Sequence, residues 1–441
     1  MTNNTRLFKK SLLAVTVALA SGQTLAAGFQ LNAQSATGIG RAFAGDAVIA
    51  DNAAVMARNP AAMALFDETA LSLGFETITT DITAKNVQYD GSPAESYDDA
   101  GGTSIAPNIH LIVPVNEKFA WGVNAYSNFG TKTDFSNDLS WSEYGGLTDV
   151  KSVNLGVAGS YRLNEQWSFG LGLDLIYGSG KLQRKAGSGT STILPFGDPQ
   201  CSAIGGTVIA PGQCYVGAPK GTSLVNAEAD GFGVGFNLGT VFELDENNRF
   251  GLSYRYSPEI EAKGDVQYLT NSDSNGKLHM PLPDIAEFSG YHRIKDTKFA
   301  VHYSVQYIGW KAFDKLDATI NDTKTTLNEY NWQDGWHYSI GGTYYLNNDW
   351  TLRGGYMYDT SAQDKTTSVS VPDSDRQWFS AGATYQIDDK SNVDIGLTYL
   401  VPFPFNSDRL SYQSNGSSFT SIATLILRLT PASFVINPRS S

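Results

Sequence analysis

The sequence predicts an all-β fold: a fourteen-stranded antiparallel transmembrane β-barrel with an N-terminal, mostly helical hatch plugging the lumen. Three observations predict it. Bulky apolar residues recur at every second position, with small or polar residues between them. The connectors between these segments alternate short and long. No internal run among the 441 residues approaches the ~20 apolar residues a spanning helix needs.

The chain opens with Arg6, Lys9 and Lys10, then the apolar stretch Ser11–Ala20, then Thr24-Leu25-Ala26. That order reads as a secretory signal peptide over residues 1–26, with Ala27 the first mature residue. Losing these three cations takes the formal charge from −13 to −16. A chain so acidic is a poor partner for nucleic acid, which is held chiefly by Lys and Arg on phosphate.

Residues 27–67 read as the hatch. They are rich in Ala and Gly and lack long alternation, and they contain Gly38, Gly40, Gly45 and Asn59-Pro60. Short helices and turns fit this pattern. Phe29, Leu31, Ile39, Phe43 and Met56 make the segment too apolar for a free tail.

Residues 68–430 read as the barrel. In Gln166–Tyr177, Trp167, Phe169, Leu171, Leu173 and Leu175 share one face, and Ser168, Gly170, Gly172 and Asp174 the other. Asp230–Leu244 repeats the pattern. Period two means strand, and a greasy face opposite a small polar one is how a barrel wall in lipid reads. Fourteen such segments follow one another: Thr69–Thr80, Ser104–Val115, Lys118–Gly130, Asp149–Arg162, Gln166–Arg184, Asp230–Leu244, Asn248–Gly264, Asp284–Ile294, Thr297–Ile308, Asp334–Leu346, Asp349–Asp359, Arg376–Ile387, Asn392–Val401 and Ser418–Leu429. Short polar turns such as Asn116-Glu117, Lys295-Asp296 and Asn347-Asn348 alternate with long connectors, the longest from Lys185 to Ala229. Loop length on one side only is an outer-membrane signature, and an even strand count puts both termini in the periplasm. Trp121, Tyr161, Trp167, Tyr254, Trp350, Tyr385 and Tyr399 lie near strand ends, where interfacial girdles sit. Residues 431–441 read as an atypical C-terminal extension, because Pro431 stops the last alternating segment.

Cys201 and Cys214 are the only cysteines. In an exported chain they are expected to form a disulfide. A metal site is not expected, since no His lies between Gly187 and Asp230. No Gly-x-Ser-x-Gly, His-Glu-x-x-His or P-loop occurs, so neither an enzyme nor a cofactor is expected.

Several motifs resemble the FadL family of outer-membrane long-chain fatty acid transporters. They are Ala27-Gly28-Phe29-Gln30-Leu31-Asn32, Gly38-Ile39-Gly40-Arg41-Ala42-Phe43-Ala44-Gly45, Arg58-Asn59-Pro60-Ala61, Pro107-Asn108-Ile109-His110, Ser127-Asn128-Phe129-Gly130, Ser289-Gly290-Tyr291 and Pro372-Asp373-Ser374-Asp375-Arg376. The resemblance implies a greasy outer groove, an inner pocket, and an inward kink in the third strand at Ser127, Asn128, Phe129 and Gly130 that opens the wall sideways. Asn59 is similar to a hatch asparagine that bonds hatch to kink. Arg184 resembles the arginine that meets the ligand carboxylate, and strand parity turns it inward. A second family cation is replaced by Asp317, and Lys315 is the candidate substitute. Phe29 and Leu31 are the candidate hatch contacts to ligand. The implied function is passive uptake of long-chain fatty acids. The alternative is the same fold importing other hydrophobic molecules such as aromatic hydrocarbons. Outer-membrane lipid and lipopolysaccharide are the expected surroundings, and a monomer the expected state.

Overall fold

The computed structural model describes residues 28–32, 34–87, 92–187, 191–195, 207–210, 213–217, 219–363, 368–402, 424–429 and 432–438. The expected signal peptide and Cys201 lie outside them, and with Cys201 the expected bond to Cys214.

Alternating segments place every backbone N–H and C=O in the plane of the wall, where only a neighbouring strand can satisfy them. The chain accordingly forms antiparallel strands almost throughout. The first group is β1 (Ala70–Val87), β2 (Glu95–Tyr97), β3 (Gly102–Pro114), β4 (Phe119–Tyr126), β5 (Gly130–Asp134), β6 (Leu147–Arg162) and β7 (Trp167–Lys185). β8 (Ser191–Pro195), β9 (Thr207–Ala210) and β10 (Gln213–Gly217) make a separate small sheet. The second group is β11 (Ser223–Asp245), β12 (Asn248–Tyr256), β13 (Glu259–Tyr268), β14 (Asn271–Pro281), β15 (Ile285–Arg293), β16 (Phe299–Ile308), β17 (Lys315–Ile320), β18 (Thr323–Glu329), β19 (Gly335–Tyr345), β20 (Trp350–Asp359), β21 (Arg376–Asp388), β22 (Ser391–Pro402), β23 (Thr424–Leu429) and β24 (Ala432–Pro438).

Ladders join β1 to β3, β3 to β4, β4 and β5 to β6, β6 to β7 and β7 to β11. β11 then pairs with both β12 and β13, β12 with β15, β13 with β14, β14 with β17, β15 with β16 and β16 with β19, and ladders run on from β19 through β20 and β21 to β22. β24 pairs with β22 on one side and with β1 on the other.

The chain end corrects the expected boundary at 430. Thr80 faces Leu429 and Thr77 faces Ala432, so β23 and β24 keep one register against β1. A proline removes a single donor from a ladder; here pairing resumes beyond it, and residues 432–438 belong to the wall.

Side-chain burial follows the pleat. Leu171 and Leu173 are exposed at 54% each, while Asp174 between strands of the interior is 2% exposed. On β7 the outward apolar run lasts from Trp167 to Tyr177, about 33 Å along a strand at ~3.3 Å per residue. Tilted by ~40°, that is about the ~25 Å height of an outer-membrane apolar band. Beyond it the polarity inverts. Lys181, Asn226 and Glu228 point outward, and Leu182, Val225, Ala227 and Ala229 are buried inside. This inversion is why periodicity ended the strands early, at Asp230 rather than Ser223. It also builds an apolar interior at the end carrying the long connectors.

The N-terminal segment lies within the wall. α1 (Ala36–Gly40) is capped by Ser35, whose Oγ accepts from Gly38 N at 2.9 Å. α2 (Val55–Arg58) leads to a 3-10 helix, Pro60–Leu65. Inward serines of the wall accept the free N–H groups of its turns: Gly45 N to Ser304 at 2.9 Å, Ala47 N to Ser289 at 3.1 Å and Ala53 N to Ser72 at 3.0 Å. Arg41 pairs with Asp46 at 2.7 Å and Asp51 at 2.8 Å, and Arg353 of β20 reaches Asp51 at 3.2 Å.

Candidate functional site: an apolar pocket beside an interrupted wall

β4 and β5 are halves of one strand. Tyr126 pairs with Asn154 and Gly130 with Lys151, so Ser127, Asn128 and Phe129 oppose only Ser152 and Val153. The extra residue makes a bulge, which bends a strand and breaks its pairing. On the other edge, β3 pairs with β4 from Ile109 to Pro114 only. Among the described residues no ladder joins β5 to Gly102–Asn108, and Asp134 N returns to Ala100 O at 2.8 Å above that stretch.

Residues 29–31 lie across the bulge. Leu31 N donates to Asn128 O at 2.7 Å, and Gly130 N donates to Phe29 O at 2.9 Å. Gln30 and Phe129 thereby form an isolated antiparallel bridge. Leu31 packs on Gly130, where a Cβ would lie 3.1 Å from Leu31 Cδ1.

Phe29 fills the apolar end of the interior. It is 3% exposed, with ring centroids 4.8 Å from Trp310, 5.0 Å from Phe313, 5.8 Å from Trp332 and 6.1 Å from Phe129. Gly28 permits this approach: its φ is +57°, and a Cβ would meet the Trp310 ring at 2.4 Å. Around Phe29 lies a pocket with about 470 Å³ of empty space, lined by Leu182, Leu278, Met280, Phe313, Leu316, Tyr330 and Val371 among others. Much of that space is narrower than a water molecule. A long ligand therefore enters only by displacing side chains, Phe29 foremost.

Arg184 stands at the pocket's edge. It is buried and donates to Leu147 O at 2.7 Å, Gln183 O at 2.8 Å and Thr148 Oγ1 at 2.7 Å. Thr148 also lines the pocket. Among the described residues no carboxylate pairs with Arg184, so its charge faces only neutral oxygens.

Val371 belongs to the connector between β20 and β21, which roofs the pocket. Thr133 Oγ1 of β5 holds this roof at Ser370 O, 2.7 Å away. Asp373 is buried within it and accepts from Ala362 N at 2.7 Å and Ser361 Oγ at 3.1 Å. Burial pushes the Asp373 carboxyl well above its ordinary value, partly opposed by the charge of Arg376.

The structure brings Phe29, Asn128, Phe129, Gly130 and Arg184 together at one end and separates the other expected residues. Leu31 packs over the bulge rather than lining the pocket. Lys315 does not substitute for a pocket cation. It is half-exposed and pairs with Asp317 at 3.5 Å, because strand alternation turns its neighbour Leu316 inward. Asn59 does not reach the bulge. Its Nδ2 donates to Ala47 O at 2.8 Å and Thr240 O of β11 at 3.0 Å, while its Oδ1 caps the 3-10 helix through Ala61 N at 3.0 Å. Capping fixes Asn59 against β11, on a different part of the wall. The sequence reading missed Tyr330, Leu278 and Met280 as lining. They lie in or beside the long connectors, where no alternation on a greasy outer face marks them.

Comparison with known proteins agrees with this architecture. The family model described as outer membrane protein transport protein (OMPP1/FadL/TodX) matches residues 17–417. The long-chain fatty acid transport protein of Shigella flexneri is 36% identical, over 94% of this chain and 97% of that protein. Outer membrane protein P1 of Haemophilus influenzae is 34% identical, over 89% of this chain and 90% of that one. Among solved structures, a Pseudomonas aeruginosa FadL homologue superposes with a TM-score of 0.71 at 21% identity, covering 93% of this chain and 98% of its own. The Ralstonia pickettii toluene transporter TbuX gives 0.64 at 16% identity, covering 94% and 99%.

Proposed function

The chain belongs to the OMPP1/FadL/TodX family of outer membrane transport proteins, and on that premise we propose that it imports long-chain fatty acids passively across the outer membrane. In this reading the strands of the large sheet close into a barrel of fourteen staves with both termini in the periplasm, set as a monomer among outer-membrane lipid and lipopolysaccharide. Residues 27–67 are its hatch. An acyl chain leaves the outer loops for the apolar pocket, with burial favourable by about 0.8 kcal/mol per methylene. Its carboxylate settles against Arg184, whose unpaired charge favours an anion in a water-poor site. Entry of the chain displaces Phe29. Because Phe29, Gln30 and Leu31 are one strip of backbone, displacement also breaks their bonds to Asn128 and Gly130. The ligand then leaves sideways into lipid, avoiding the aqueous periplasmic end.

The observation that supports this most is the missing ladder between β3 and β5, stoppered by the same residues that fill the pocket. A second reading, import of aromatic hydrocarbons, draws on the aromatic lining at Phe29, Phe313 and Tyr330, backed by Trp310 and Trp332. It draws also on the likeness to a toluene transporter. Purified protein in detergent, offered labelled oleate beside labelled toluene, separates the two. Saturable oleate binding that toluene does not displace supports the first reading. The reverse result supports the second, and a large steady ionic conductance would sink both in favour of an open pore.

A further inference from the structure

Phe29 and Asn128 line two unlike spaces. On one side is the apolar pocket. On the other is a small polar pocket with room for about one water molecule, lined by Gln34, Arg58, Asn128, Arg255, Glu287 and Gln306 among others. It lies behind the bulge, of which Asn128 is part. Two of its donors are buried with no hydrogen-bond partner: Arg58 Nε and Asn128 Nδ2.

The charge of Arg58 is loosely matched. Asp46 and Glu287 stand 3.7 and 3.6 Å from it, beyond hydrogen-bond reach. Both carboxylates are committed elsewhere, Asp46 to Arg41 at 2.7 Å and Glu287 to Gln306 at 2.8 Å and Ser289 at 2.9 Å. Only Nη2 of Arg58 is satisfied, at Asn32 Oδ1, 2.6 Å away. Gln34 Oε1 adds an unsatisfied acceptor beside these donors. Buried polar groups are rarely left unpaired, and those that are ask for a missing partner. One donor on a loosely neutralised cation and one on a neutral amide, with one acceptor alongside, suit a carboxylate that can also exist as the acid.

We infer that this polar pocket is an exit-side subsite for the ligand head group, with Arg58 and Asn128 holding the carboxylate while the acyl chain passes the bulge into lipid. The inference rests on the uptake reading above. A carboxylate leaving Arg184 for a gap in a lipid-facing wall would otherwise be stripped of every partner, a loss far larger than that of a neutral head. The subsite supplies donors at the point of departure, on the wall and the hatch together. It also favours acids over neutral molecules of the same length at the release step rather than at binding.

The test uses the full-length protein in phosphatidylcholine vesicles, with oleate and methyl oleate as probes of equal chain length. Equilibrium binding and release into the bilayer are measured separately. Arg58→Gln should slow oleate release about tenfold, the effect of losing one hydrogen bond to a charged group, and leave methyl oleate release and oleate affinity nearly unchanged. Asn128→Asp keeps the side-chain shape and opposes an anion, so it should slow oleate release selectively as well. It decides the matter alone if Arg58→Gln fails to assemble. Equal slowing of both probes by the deciding variant would make these residues mere hatch anchors and overturn the subsite. Unchanged release of both would overturn it too. Wild-type protein that binds oleate and never delivers it would refute the uptake reading itself, a result visible before any variant is made.

Discussion

A crosslink between residues 29–31 and the bulge should block delivery of the ligand. Gln30 and Phe129 form an antiparallel pair whose two hydrogen bonds come from the flanking residues, Leu31 N to Asn128 O and Gly130 N to Phe29 O. That is the non-hydrogen-bonded kind of pair, with Cα atoms typically about 4.5 Å apart, within the range a disulfide tolerates. In the native protein the two backbone bonds contribute about 1–3 kcal/mol together, little enough for an entering acyl chain to overcome. A Gln30→Cys, Phe129→Cys disulfide adds a covalent bond to them, so residues 29–31 cannot leave the bulge while it is oxidised. With Cys201 and Cys214 replaced by Ser, the oxidised variant is expected to deliver oleate into vesicles at least about a hundredfold more slowly than its reduced form. Reduction should restore delivery. Radiolabelled oleate, filtered from vesicles before and after reductant, reads both rates. Equal delivery by the oxidised and reduced forms would refute the coupling of hatch to gap.

Three further outcomes follow from the same geometry. Arg184→Ala should weaken oleate binding by about tenfold or more, as expected for a hydrogen-bonded charge, and weaken binding of an uncharged hydrocarbon much less; equal losses in a displacement titration would remove the head-group role. Gly130→Val places a methyl-bearing carbon 3.1 Å from Leu31 Cδ1, so uptake in correctly assembled protein should slow while outer-loop binding persists. Asp373 is protonated more readily in the folded chain than in the unfolded one. Its burial therefore carries no penalty below the ordinary carboxyl value. The penalty grows as pH rises from there to the raised folded value. Asp373→Asn should raise the melting temperature at neutral pH, with the gain shrinking as pH falls toward 4; a gain that is the same at both ends would contradict the buried-acid account.

The wall was legible because lipid imposes a strict rule on sequence. Trp167 to Tyr177 had to alternate, and the short turns at Asn116 and Asn347 had to fall on one side. What escaped was governed by water and by local contacts. Beyond Tyr177 the outward positions become Lys181 and Glu228, so the greasy period disappears although the strand continues. β14, β17 and β18 extend the wall in that region and carry no lipid signature. Arg184 was found because its inward parity could be counted along an unbroken strand. Lys315 was misjudged because the 3-10 helix Trp310–Phe313 resets the count. Asn59 was assigned to the bulge by likeness of motif, whereas its own amide is spent on Ala47 and Thr240. Ser127–Gly130 could be marked as an irregularity from Asn and Gly alone. That residues 29–31 close it could not, since that contact joins segments about 100 positions apart, a separation no local pattern encodes.

The most direct measurement is where oleate first emerges. Protein reconstituted into vesicles with a fluorophore in the bilayer core and a fatty-acid sensor in the enclosed water reports both compartments in one trace. Sideways release predicts that the bilayer signal rises first and the enclosed water lags behind it. A sensor in the water that responds before the bilayer would contradict the account.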